Sequence, residues 1–195
     1  MSEELRIARI HAQFGECPGD STMVGETTNV WVVGDDRDVV VVDPAGASNL
    51  VADAIEDRQV TAVLCTHGRR AHIASAMTLG EAFHTPVLLH TGDHAAWQAV
   101  HGDCRYWRLD DGQRIAFAGT EIHVLHTPTA TPGSVSLHIP RYGMAFTGDS
   151  LSRQNPSYDD DAAVLGTFAS LDSDTLIHPG HGDSYVLRES YLHSV

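Results

Sequence analysis

In the first half of the chain the apolar residues gather into short runs bounded by turn residues, and those runs predict its elements. Asn29 to Val33, a Gly34-Asp35-Asp36 turn and Val39 to Val42 predict a hairpin with a buried second strand, ending at Asp43-Pro44. Ser48 predicts a helix N-cap, the helix running through Asp57 with Leu50, Val51 and Ile55 on its inner face. Val60 to Cys65 is apolar and β-branched, a buried strand that leads straight into the segment from Thr66 to His72. From Ala71 a helix carries Ile73, Met77 and Phe83, and Pro86 opens a strand from Val87 to His90.

A short helix around Ala95 to Val100 follows, and the pattern then changes to hairpins. Strands are predicted at Tyr106 to Leu109, Arg114 to Phe117, Glu121 to His126, Ser134 to Ile139 and Met144 to Thr147. A helix near Asp161 to Leu171 and a strand from Thr175 to His178 complete the set. No repeat, low-complexity tract or linker interrupts it, and 195 residues suit one domain. Two runs of strands, each with its own helices, predict an α/β sandwich of two sheets with helices outside and functional loops at strand ends.

Charge narrows the chemistry. With 26 acidic and 12 basic residues the formal charge is −14, which disfavours nucleic acid and anionic membranes as partners. Every basic residue is arginine, so Schiff-base and P-loop lysine chemistry is excluded. No apolar run approaches the ~20 residues of a membrane span, and the N-terminus lacks an export pattern, so a cytoplasmic protein is expected. Cys17, Cys65 and Cys104 are read as reduced thiols. Thirteen histidines point toward metal binding or proton transfer.

Four loops that follow predicted strands carry histidine or aspartate: His67 to His72, His126 to Thr131, Gly148-Asp149 and Pro179 to His181. Together with the strand and turn at residues 39–46, they resemble, in order, the motifs of the metallo-β-lactamase superfamily, in particular its small bacterial glyoxalase II-like members. The resemblance implies a four-layer αβ/βα sandwich: two mixed β-sheets with helices on the outer faces. It also implies a two-metal site, and here the chain departs from the pattern. His67, His72, Asp149 and His181 stand at ligand positions, whereas Arg69, Ala71 and Ala130 replace a histidine, an aspartate and a histidine. Thr129 stands where that segment usually has glycine, and His126 falls at a position that is not a ligand in the family.

The first metal position therefore keeps only His67 and the shared Asp149, beside an arginine, and is expected to be empty. The second keeps His72, Asp149 and His181, a set suited to one Zn2+ or Fe2+, or else left without metal. Arg69 is expected to pair with Asp149 or to anchor a substrate anion, with Arg70 beside it and Ser134 as a further hydrogen-bond donor. Asp43 is expected to fix the backbone near the metal loop. His178 is read as a neighbour of the site or a core residue, and the remaining histidines, His193 among them, as surface groups.

The function expected is hydrolysis of a small acyl compound, an ester, thioester or lactone, with His67, Asp149 and Arg69 in catalytic roles. Glutathione thioesters are disfavoured, because the chain stops soon after His181. The partner expected is a small-molecule substrate, and the oligomeric state, a homodimer included, is open. Two other classes stay open: a non-catalytic binding or regulatory relative, and a metal-independent lyase or isomerase.

Overall fold

The computed structural model describes residues 5–13, 27–46, 48–151 and 162–190. Cys17, His193 and Asp161, where the last helix was expected to begin, lie outside the described residues. The first sheet contains β1 (Arg6–Gln13), β2 (Thr27–Gly34), β3 (Asp38–Val42), β4 (Gln59–Leu64), β5 (Val87–His90) and β6 (Trp107–Leu109), in that spatial order. β1 to β3 pair antiparallel, and β3 to β6 run parallel. The second sheet contains β7 (Arg114–Phe117), β8 (Thr120–His126), β9 (Val135–Ile139), β10 (Met144–Gly148), β11 (Leu176–Pro179) and β12 (Tyr185–Val186), antiparallel except for β10 with β11.

Three apolar cores explain why several strands read as unbroken apolar runs. On the outer face of the first sheet, Val39, Val41 and Val63 pack against α1 (Ser48–Ile55), α2 (Arg70–Ile73), α3 (Ala76–Ala82) and α4 (His94–His101) through Val51, Ile55, Ile73, Leu79 and Trp97. Between the sheets, Val40, Val42 and Leu64 meet Val124, Leu137 and Phe146. Outside the second sheet, Ala145 and Ile177 meet Val164 and Phe168 of α5 (Ala162–Ala169). Strands covered on both faces bury successive side chains, so alternation disappears from their sequence.

The structure corrects the reading at four points. β1 was not expected; it is an edge strand whose alternate exposure dilutes the apolar signal. The helix expected from Ala71 is two, α2 and α3, with a break at residues 74–75. Leu50, expected on the inner face of α1, is 55% exposed, while Val51 and Ile55 are buried. β12 has only two residues, too short for a pattern. Among the described residues, no helix is long and apolar enough to cross a membrane.

Candidate metal and anion site

The expected residues converge where strands end. Asp43 follows β3, His67 lies just beyond β4, Asp149 follows β10, and His181 lies two residues past β11. His72 reaches the same place from α2, whose first turn begins at Arg70 with Arg69 as an extended N-cap residue. Asp149, only 4% exposed, is the hub. Its Oδ1 lies 3.2 Å from His72 Nε2 and 3.2 Å from His181 Nε2, and these two nitrogens are 3.2 Å apart. Its Oδ2 lies 3.3 Å from His67 Nε2 and 3.1 Å from Arg69 Nη1.

The outer partners decide which nitrogen of each histidine carries hydrogen. His72 Nδ1 donates to Asp43 Oδ2 at 3.0 Å, and His181 Nδ1 donates to the carbonyl of Thr27 at 2.9 Å. The Thr66 hydroxyl donates to Asp43 Oδ2, so its own oxygen accepts from His67 Nδ1 at 3.1 Å. In the neutral imidazoles, all three Nε2 lone pairs therefore face the carboxylate. His67 Nε2 and Asp149 Oδ1 are buried without an aligned hydrogen-bond partner among the described residues. Lone pairs this close require a cation among them, either a proton or a metal ion.

The charges agree. Burial opposes ionisation of Asp149, but the charge on His72 and contacts from His181, His67 and His72 hold its carboxyl far below the usual range. Burial pulls His72 down, yet Asp149 and Asp43 outweigh it and push it up to about 10. His181 is raised, its burial outweighed mainly by the contact with Asp149. His67 is lowered by burial and by the charge of His72. Without a metal, the shared proton therefore rests on His72.

His72, Asp149 and His181 fit one divalent ion: two imidazole lone pairs and a carboxylate oxygen converge, and both histidines have an oriented outer partner. Asp43, His67 and His72 also lie close together. However, Asp43 already accepts from Thr66 N, Thr66 Oγ1 and His72 Nδ1, so it serves as an orienting group. The first metal position does not fit an ion. Arg69 Nη1 takes Asp149 Oδ2 there, and Nη2 reaches the Ala130 carbonyl at 3.4 Å.

Two expected residues stand apart from the hub. Arg70 is exposed at the start of α2. Ser134 is buried, and its hydroxyl binds Thr131 N and Thr131 Oγ1 at 3.0 Å each, so it closes the turn of its own loop. His178 is a buried core residue, stacked on Phe146 and lowered to about 4 by burial and Arg9. The sequence reading missed Thr66, which links Asp43 to His67, and Asp93, which binds two site loops. A carboxylate just beyond a buried strand is the signal that would have found Asp93, as it did Asp149.

The sequence profile of the metallo-beta-lactamase superfamily matches residues 23–192. The chain belongs to this superfamily. Within it, a hydroxyacylglutathione hydrolase of Aeromonas salmonicida is 30% identical over 161 residues, 78% of this chain and 60% of that protein. An atrochrysone carboxyl ACP thioesterase of Pseudocercospora fijiensis is 29% identical over 175 residues, 86% of this chain and 49% of that protein. The chain thus spans about half to three fifths of the length of these two curated relatives. Among solved superfamily folds, TTHA1623 in a di-iron-bound form aligns with a TM-score of 0.74 and 24% identity, covering 91% of this chain and 94% of that one. The BLEG-1 B3 metallo-beta-lactamase aligns at 0.72 and 22%, covering 93% and 94%. These likenesses carry the four-layer superfamily fold.

Proposed function

We propose that this chain hydrolyses a small acyl compound, an ester, thioester or lactone, in the cleft of His67, His72, Asp149 and His181. The observation that carries the reading is the convergence of three imidazole Nε2 atoms and the Arg69 guanidinium on one buried carboxylate. The hydrolase and thioesterase named among the relatives favour acyl substrates, with thioesters as the first class to test.

His72, Asp149 and His181 would hold one Zn2+ or Fe2+, which when bound supplies the positive charge and Lewis acidity that activate water and polarise a carbonyl. The remaining work belongs to the chain. His67, whose lowered pKa keeps it neutral near pH 7, presents Nε2 to take a proton from water as the oxygen attacks the acyl carbon. Asp149 stabilises the imidazolium that results. Arg69 places fixed positive charge beside the developing oxyanion. On collapse the acyl–oxygen or acyl–sulfur bond breaks, and His67 returns its proton to the leaving group.

The test combines elemental analysis of protein purified without added metal with turnover of an ester, a thioester and a lactone panel. Near-stoichiometric zinc or iron and turnover lost in Asp149→Asn and His67→Ala support the hydrolase. No turnover on any class, with the cleft intact, would leave a binding role.

A further inference from the structure

We infer that Asp93, which lies outside the four histidine- and aspartate-bearing loops, is the positioning residue that seats Arg69 between Asp149 and Ala130. The inference rests on the reading of this cleft as the functional site. Asp93 ends the turn after β5 and is 3% exposed. Both of its oxygens are occupied: Oδ2 accepts from Gly68 N at 2.6 Å and from Thr131 Oγ1 at 2.6 Å, and Oδ1 accepts from Gly133 N at 2.9 Å.

Those three donors lie on the two loops that Arg69 spans. Gly68 sits between His67 and Arg69, and Thr131 follows Ala130, whose carbonyl receives Arg69 Nη2. One carboxylate thus binds the backbone on each side of the guanidinium. The packing leaves no slack: a Cβ on Gly133 would stand 2.6 Å from Asp93 Cγ and 2.7 Å from its amide nitrogen. A short buried carboxylate that accepts from two backbone amides fixes loop spacing more firmly than a surface ion pair does. On the Asp149 side, a hydroxyl contact of 2.7 Å from Thr129 to Ser150 ties the same loop to the residue after Asp149. Arg69 therefore lies in a frame anchored at both ends, and Asp93 is the anchor that joins its two walls.

The test is residue-resolved modification of arginine by phenylglyoxal, read by peptide mass spectrometry, and it needs no substrate. Arg58, held by the carbonyls of Ile55 and Ala54 on α1, is the internal reference. In Asp93→Asn, an amide cannot accept from both backbone N–H groups, and Arg69 is expected to react about tenfold faster while Arg58 is unchanged. In Thr131→Val, which removes one of the three bonds, a smaller rise of about threefold is expected, and this variant decides the matter if Asp93→Asn does not fold. A folded variant with Arg69 reactivity unchanged, or with Arg69 and Arg58 rising together, overturns the inference. Because the readout is chemical, it stands or falls separately from turnover.

Discussion

Arg69 Nη1 lies 3.1 Å from Asp149 Oδ2, joining a guanidinium that is 36% exposed to a carboxylate that is 4% exposed. The pair puts a permanent positive charge where the superfamily resemblance implies a metal ion. Among the described residues, Arg69→Ala leaves the Asp149 carboxylate with His67, His72 and His181 as its side-chain partners. A loss of about 1–2 kcal/mol of stability is expected, at the low end for a charge-assisted contact because the guanidinium is partly solvated. If Arg69 stabilises the oxyanion, kcat/KM falls roughly 100-fold on any turned-over substrate. Chemical denaturation and steady-state kinetics on the same preparations measure both, and an unchanged denaturation midpoint would refute the pairing.

The superfamily resemblance implies metal ligands at positions 69 and 130, and histidines placed there should bind a further ion. The double variant Arg69→His with Ala130→His gives the first position three histidines, His67 included, beside Asp149. Zinc per chain, measured by elemental analysis after equilibration and desalting, should rise by one ion over the parent. No gain would mean that the loop spacing has closed around the arginine.

Acidity follows from the hub. His72, pushed up to about 10 against the effect of burial, holds a proton in the folded chain that the unfolded chain releases near pH 6.5. Its contribution to the metal-stripped protein is fully present below about 6.5 and is lost as pH rises through about 10. Asp149, held far below the usual range, contributes above about pH 4 and loses that contribution in acid. Thermal denaturation of the metal-stripped chain should therefore show greatest stability near pH 6.5, with a decline toward 10 as His72 loses its proton and a decline toward 4, where the unfolded chain protonates histidines that burial keeps neutral in the fold, His67 and His178. A divalent ion must displace the His72 proton, so zinc affinity should rise about tenfold per pH unit over that range. A flat affinity profile would exclude His72 as a ligand.

Asp43 is expected to matter without touching substrate. Its backbone is left-handed at φ 52°, and its carboxylate holds Thr66 and His72. Asp43→Ala strands those donors and frees the His72 ring, for a destabilisation of about 3 kcal/mol and a 10- to 100-fold weaker metal affinity. Urea denaturation and zinc competition titration give the two values.

Gly148→Ala is the backbone counterpart. Gly148 has φ 54°, and a Cβ there would stand 2.2 Å from Thr66 Oγ1. A loss of at least about 2 kcal/mol is expected from strain and the displaced threonine. A midpoint within error of the parent would mean that the β10 end has room to shift.

The fold and most of the site were legible because their signals are local. Val39 to Val42 is an unbroken apolar run and Val60 to Cys65 is broken only by Thr61, because each strand is covered on both faces, and histidine or aspartate follows the strands that end at the cleft. Elements with weaker local signals were lost: β1 on the sheet edge, β12 of two residues, and the break between α2 and α3. The turn that the Ser134 hydroxyl closes with Thr131 was not legible, because a serine near a ligand loop has the same sequence signature whether its hydroxyl faces a substrate or closes its own turn.

By itself, the sequence determined most of the strands and helices and the excess of acidic charge, since these are properties of residue type and spacing, and it put Arg69, Ala71 and Ala130 at positions where the superfamily resemblance implies ligands. Only the tertiary structure decided which nitrogen of each histidine faces Asp149, that Asp43 is consumed in orienting His72, and that Arg69 rests on the Ala130 carbonyl. Those facts depend on hydrogen bonds between residues far apart in the chain: Asp43 to His72, His181 to Thr27, and Asp93 to Thr131. Such bonds have directions and lengths that composition and periodicity do not encode, because the packing of the two sheets brings their partners together.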